Sequence, residues 1–291
     1  MNSEQITLRS FVIPGNRLEE VELAMYDLGF HGYFLETRPD HPDGLFGMPG
    51  TERLEALQEK VVAWLHTAGF QENRTEVKDL EEWIRPWKES LRPFEIYPGT
   101  WVLPDPEKSH EIPKGTKILK ILPSYAFGTG HHATTSTASA LVAETVRPGS
   151  RVRDVGCGTG ILALVARLAG AKTIHARDFD ALSIDRARAA FHENGSSDIL
   201  LEEASLLEGL SERGEIYDVI AANIVTEVLA VLLDDPHLVH LLIPGGQLIL
   251  SGIREAGLPI LESRFLRDGW QLRDRRDLDG WITLLLQRRA G

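Results

Sequence analysis

Only one cysteine, Cys157, occurs in 291 residues, so no internal disulfide can form and no thiolate metal site can begin. A reducing compartment, most simply the cytoplasm, is the expectation. Long apolar runs are missing too. Nothing approaches the roughly 18 uninterrupted apolar residues of a membrane span, and MNSEQITLRSFVIPG lacks the basic-then-apolar pattern of a secretory signal. Neither membrane insertion nor secretion is expected.

Positive charge is in short supply. Thirty-one Lys and Arg against 43 Asp and Glu leave a net charge of -12. Such a field repels phosphate backbones and attracts cations, so direct nucleic-acid recognition is not expected and a basic partner is. The first 92 residues are the more acidic part, with seventeen acids and ten bases. Repeats and low-complexity tracts are absent as well. What remains, 43% hydrophobic and 25% charged residues, is an ordinary globular composition. The length suits two unequal domains.

Residues 5–13 are rich in β formers and stop at Pro14-Gly15, and Leu18, Val21, Met25 and Leu28 then recur at helical spacing before Gly29. Phe30 to Thr37 reads as a strand, and a loop rich in Pro, Gly and Asp follows. Leu54, Leu57, Val61, Trp64 and Leu65 mark a second helix before Gly69, and a strand lies near 70–77. The pattern predicts a small α+β, ferredoxin-like domain over 1–78, of βαββ or βαβαβ type. DLEEWIRPWKESLR, with Pro86 at its centre, reads as a broken helical linker over 79–92.

Over 93–291, strand-like pieces near 95–103 and 116–122 precede a regular alternation. Helices are expected at 135–145, 160–169, 180–193, 205–212, 225–242 and 255–268. Strands are expected at 151–155, 172–177, 198–202, 216–222, 246–251, 270–276 and 281–287. Alternating β and α with a closing hairpin predicts a doubly wound, Rossmann-like α/β sheet whose C-terminal strand is antiparallel.

Asp154-Val-Gly-Cys-Gly-Thr-Gly160 follows a strand and opens a helix, the setting in which Gly156, Gly158 and Gly160 let a ligand approach backbone N–H groups. A dinucleotide fingerprint needs its third Gly five residues after Gly156, where Ile161 stands. Asp154 suits a ligand carrying an ammonium or sulfonium group, as S-adenosyl-L-methionine does. Asp178 lies 22 residues after Gly156, at the end of the next strand, where a carboxylate can accept both ribose hydroxyls. NAD binders share that feature, and Asp178 could instead cap a helix, although Asp180 is better placed for capping. Cys157 reads as a small loop residue rather than a nucleophile.

Pro123, Ala126 to Gly130, His132 and Thr134-Thr135, then DVGCGTGILA at 154–163, Asp178 with Asp180, Ala222-Asn223-Ile224 and Ser251-Gly252-Ile253, together resemble the ribosomal protein L11 methyltransferases of the PrmA type. That resemblance covers essentially the whole chain, with Trp83 and Trp87-Lys88 matching a Trp-rich linker. It implies a class I methyltransferase fold, S-adenosyl-L-methionine as cofactor, and methylation of lysine ε-amino and N-terminal α-amino groups of large-subunit ribosomal protein L11, recognised by the N-terminal domain. It places cofactor contacts at Thr135, Gly156, Asp178 and Asn223, with Phe127, His132 and Thr134 lining the reaction centre. Two departures stand out. Arg153 occupies a strand position usually apolar, and Ala204-Ser205 replaces Gly-Asp.

Methyl transfer from a sulfonium needs a neutral amine held in line. Asn223, at the end of its strand, can accept a hydrogen bond from that amine, or it can cap the helix starting near Val225. Phe127 can offer its π face to the methylammonium product. His131 and His132 have no third partner at metal-ligand spacing, so no metal is expected; His132 can position a ligand or pass a proton. Gly128 and Gly130 suggest a mobile cover over the site. Rival readings are a methyltransferase for another basic protein or a small amine, an inactive cofactor-binding protein, and a dehydrogenase.

Overall fold

The computed structural model describes residues 5–17, 20–21, 24–25, 28, 34–37, 43–50, 55–79, 82, 85, 90–105, 111–122, 128–205 and 214–289. Leu18, Gly29, Leu54, Trp83, Pro86, Trp87, Lys88, Pro123, Ala126 and Phe127 lie outside them, as does nearly all of the helix expected near 205–212. Two compact units form, Met1–Leu91 and Arg92–Gly291.

In the first unit, β1 (Gln5–Pro14), β2 (Phe34–Thr37), β3 (Asp43–Gly50) and β4 (Glu72–Asp79) make an antiparallel sheet in the order β2-β3-β1-β4. Helix α1 (Glu55–Thr67) joins β3 to β4, and Glu20, Val21, Ala24 and Met25 are helical between β1 and β2. This is the βαββαβ order of a ferredoxin-like domain. Along β1 the buried residues run Ile6, Leu8, Ser10 and then Phe11, Ile13. The alternation slips by one where a bulge at Ser10/Phe11 shifts the register with β4, which keeps the apolar side chains turned inward. Phe11 and Ile13 pack with Val21, Met25, Val61, Leu65 and Phe70.

β3 corrects the expectation of a loop after Thr37. Its sequence, DGLFGMPG, is full of turn residues, yet it pairs with Thr7–Pro14 of β1 along its whole length. Pro49 lies beyond Gly44–Gly47, the part of β3 that pairs with β2, where a missing N–H is tolerated. Ladder pairing has overridden local turn preference.

The second unit opens with β5 (Phe94–Tyr97), β6 (Thr100–Leu103) and β7 (Lys117–Lys120), a three-stranded sheet. The piece expected at 95–103 is thus a hairpin, turning at Gly99 with φ +78°. Next come α2 (Ala133–Thr145), β8 (Arg151–Val155), α3 (Ile161–Leu168), β9 (Thr173–Asp178), α4 (Ala181–Glu193), β10 (Leu200–Glu203) and β11 (Tyr217–Asn223). Then follow α5 (Thr226–Asp234), β12 (Leu242–Arg254), α6 (Leu258–Arg267), β13 (Trp270–Leu278) and β14 (Trp281–Arg288). The large sheet has the order β10-β9-β8-β11-β12-β14-β13. Its first five strands are parallel, and β14 runs against both neighbours.

The helix expected over 225–242 stops at Asp234. Asp235 precedes Pro236, which disfavours the helical region, and Asp235 adopts ψ 116°. Apolar residues of α2, α3 and α4 cover one face of the sheet, over Val152, Ile174 and Val219. Those of α5 and α6 cover the other, over Ile220, Leu248 and Leu284. No helix among the described residues is long and apolar enough to cross a membrane.

Candidate active site

The chain leaves β8 toward β9 and β10, then crosses to the other side of β8 to form β11, so the strand order reverses between β8 and β11. Ligands of open α/β sheets bind in the crevice at such a switch point, outside the carboxyl ends of the strands. Val155 pairs with Arg177 on one side and Ala222 on the other. The residues that follow, Gly156, Asp178 and Asn223, therefore emerge together, and Asn223 pairs with Ser251 of β12. At about 4.8 Å per strand, Asp178 and Asn223 flank Gly156 roughly 10 Å apart.

Gly156, Gly158 and Gly160 all have positive φ, +70°, +54° and +78°, so the turn needs residues without a Cβ. The N–H groups of Gly156 and Cys157 donate to the Arg177 carbonyl at 3.0 and 2.9 Å. Asp178 latches the loop by accepting from Gly158 N at 2.9 Å and from Asp180 N at 3.0 Å, which leaves each oxygen a further lone pair. Helix α4 is capped by Asp180, through Leu182 N and Ser183 N, so Asp178 is not the cap. Gly160 is held by packing. Its N–H is taken by the Cys157 carbonyl at 2.7 Å, and a Cβ there would lie 2.4 Å from the Phe191 ring. Burial, with Asp154 and Asp178 nearby, pushes the Cys157 thiol well up, so it is no thiolate nucleophile.

Asp154 is buried, and one carboxylate oxygen accepts from Ala163 N at 3.1 Å, in the first turn of α3. Its other oxygen has no partner. Burial, and then the nearby Asp178 charge, raise its pKa to about 7. Asn223 Nδ2 donates to Thr135 Oγ1 at 3.4 Å, while its Oδ1 is buried without a partner. The cap position of α5 is Val225, with no side-chain cap bond, so the capping alternative for Asn223 fails. Among the described residues, two buried acceptors without donors thus lie beside the glycine turn. An unmet buried acceptor is costly, and a ligand bringing N–H groups and positive charge would satisfy both.

The described part of the 128–132 loop is pinned, which corrects the expectation of a mobile cover. Thr159 Oγ1 donates to the Gly128 carbonyl at 2.6 Å. A Cβ on Gly130 would sit 2.8 Å from the Phe94 ring, and His131 stacks on that ring at 3.8 Å. His132 caps α2: its Nδ1 accepts from Thr134 N at 3.3 Å, which leaves the hydrogen of the neutral ring on Nε2. Burial, and then the Arg254 charge, hold its pKa near 4 against Asp279. Its ring is therefore neutral near pH 7.

Buried Thr134 and Thr135 begin α2. Ser251 Oγ donates to the Thr134 carbonyl at 3.1 Å and shares a hydrogen bond with Thr283, which in turn bonds Thr137. This hydroxyl chain ties α2 to β12 and β14. Thr159, Thr283, Arg254 and Trp281 were not found from sequence, because their partners lie far along the chain.

Arg153, the departure noted above, is met by charge. It donates to Tyr217 Oη at 2.7 Å and lies 3.4 Å from both Glu202 and Glu215. Arg177 pairs with Glu202 at 2.9 Å and donates to the Ser205 carbonyl at 3.1 Å. His175 contacts Glu215 and the Tyr217 hydroxyl, which itself donates to Glu215.

A family model described as ribosomal protein L11 methyltransferase (PrmA) matches residues 48–289. A protein of that name from Geobacillus kaustophilus is 30% identical over 238 residues, 80% of this chain and 75% of that protein. Another from Deinococcus radiodurans is 37% identical over 206 residues, 69% and 73% respectively. The crystal structure of ribosomal protein L11 methylase from Lactobacillus delbrueckii subsp. bulgaricus superposes with a TM-score of 0.62 at 32% identity, covering 68% of this chain and all of that one.

Proposed function

Because the chain belongs to the ribosomal protein L11 methyltransferase family, we propose that it methylates lysine ε-amino groups and the N-terminal α-amino group of large-subunit ribosomal protein L11. The methyl donor is S-adenosyl-L-methionine, which when bound supplies a methyl group on a sulfonium centre open to in-line displacement by an amine. The observation that carries the reading is the pair of buried, donor-less oxygens, Asp154 Oδ1 and Asn223 Oδ1, at the switch point of the sheet.

Asp178 holds the ribose hydroxyls, and Asp154, Gly156 and Gly158 hold the methionine portion in this reading. Thr135 holds the Asn223 amide by accepting its N–H, which leaves the buried carbonyl oxygen as an acceptor for the incoming amine. A lysine ammonium, with an ordinary pKa of about 10.4, must lose a proton before attack, and a desolvated pocket favours the neutral form. Neutral His132 adds no positive charge to that pocket. Phe127, outside the described residues, is assigned to the acceptor side by the family motif alone. The acidic N-terminal unit is assigned to recognition of the basic substrate, and the cytoplasm, where a lone thiol stays reduced, is the location this reading requires.

The test is mass spectrometry of purified L11 incubated with the protein and S-adenosyl-L-methionine. Stepwise addition of methyl groups on lysines and the N-terminus, abolished by Asn223→Ala, is expected. An unmodified L11 despite measured cofactor binding would move the search to other basic proteins.

A further inference from the structure

One cation at the edge of this site has no counter-charge among the described residues. Arg254 ends β12, three residues after Ser251, and pairs across the ladder with Trp281 of β14. Its guanidinium carbon lies 4.3 Å from the centre of the Trp281 ring, and that same ring meets His132 edge-on at 4.9 Å. The residue is half-buried, and its enclosed Nε has no hydrogen-bond acceptor. Among the described residues it has no ion pair either. Neighbouring charges behave differently: Glu255 is drawn to Arg275, and Arg276 to Glu144 and Asp274. His132 on α2 and Asp279 in the β13–β14 turn are the titratable groups facing this cluster, and neither closes a salt bridge with it.

A guanidinium held partly out of water without a partner costs free energy, and a planar fork laid against an indole is already oriented for a planar anion. Position narrows the ligand. Asp178, Gly156 and Asn223 step across β9, β8 and β11 from the ribose end toward the methyl end of the pocket, and β12 is the next strand. Arg254 therefore lies past the methyl end, beside the first turn of α2.

We propose that Arg254 is a carboxylate-binding residue at the methyl end of the site, taking either the α-carboxylate of S-adenosyl-L-methionine or a carboxylate of the methyl-accepting protein. Both sources present the same chemistry to the fork, a planar anion that accepts two parallel N–H bonds. The second source rests on the function proposed above; the first does not.

The test uses full-length R254L, R254K and R254Q, each first shown to melt within a few degrees of the unaltered protein, the last two serving if leucine is not tolerated. Calorimetry compares S-adenosyl-L-methionine with its decarboxylated form, and steady-state kinetics use L11. Binding of S-adenosyl-L-methionine weakened about tenfold in R254L, with the decarboxylated form bound equally by both proteins and R254K intermediate, identifies the cofactor as the source. Unchanged cofactor affinity with about a tenfold higher KM for L11 at constant kcat identifies the protein substrate. Equal cofactor affinity together with equal KM overturns the proposal. If the unaltered protein leaves L11 unmethylated, the function proposed above fails, and calorimetry alone then decides: equal affinities overturn the Arg254 assignment.

Discussion

Two buried polar regions share the large sheet and differ in one respect. Around Arg153, guanidinium, carboxylate, phenol and imidazole meet one another, with Glu202 bridging Arg153 and Arg177 and Glu215 bridging His175 and Tyr217. At the switch point, Asp154 and Asn223 each keep an oxygen that meets nothing. Both regions are desolvated; in the first every carboxylate meets a cation or hydroxyl of the chain, and the orphaned atoms are the donors Arg153 Nε and Arg177 Nε, whereas in the second the orphaned atoms are acceptors. In the function proposed above, the donors that these two acceptors lack are a ligand's. The difference separates stability from function on one scaffold, and substitutions on either side should report it.

Removing one partner of the closed cluster should produce the largest change. Arg153→Met takes one cation from Glu202, which keeps Arg177, and from Glu215, which keeps His175 and Tyr217, and leaves the Tyr217 hydroxyl without its donor; it is expected to cost about 3 kcal/mol of unfolding free energy in urea, with cofactor affinity within about twofold of the unaltered protein because no ligand contact is lost. A large affinity loss at constant stability would reverse the two regions' roles. The open site should answer oppositely. Asn223→Ala is expected to lower kcat about 100-fold, the scale of losing one oriented polar group at a reaction centre, while the urea midpoint barely moves.

A pH dependence sharpens the contrast. Asp154 in the ligand-free protein keeps its proton up to about pH 7, and a cationic ligand selects the ionised form. Affinity for S-adenosyl-L-methionine should therefore rise with pH below 7, by about tenfold per unit, and level off above it, with proton release on binding. Calorimetry in buffers of different ionisation enthalpy checks this, and Asp154→Asn should flatten the profile. The smallest effect concerns the pinned loop. Thr159→Val removes the bond to the Gly128 carbonyl and should cost about 1 kcal/mol, with faster amide exchange confined to the 128–132 loop. No local change would mean that packing on Phe94 suffices.

Much of this was legible in the sequence. The β/α alternation, the glycines and the acid at the end of the second strand put Gly156 and Asp178 at neighbouring strand ends, where the structure has them, because backbone turns and strand ends are local properties. Strand β3 was missed, since its glycines and proline spell a loop and only pairing with β1 makes it a strand. Helix α5 was drawn too long because its apolar spacing continues past Pro236. His132 could be read as positioning a ligand or passing a proton, and its capping of α2 through Thr134 N was not readable from the sequence.

The residues by themselves determined the fold class, the family and the glycine turn after β8, because periodicity, glycine and short motifs are read along the chain. They did not determine which buried polar groups are satisfied. Arg153 finds Glu202 49 residues away and Glu215 62 away, and Asn223 finds Thr135 across 88. Pairings over such separations exist only once the strands are ordered side by side. The tertiary structure alone decided that the carboxylates around Arg153 find donors within the chain while Asp154 Oδ1 and Asn223 Oδ1 find none among the described residues.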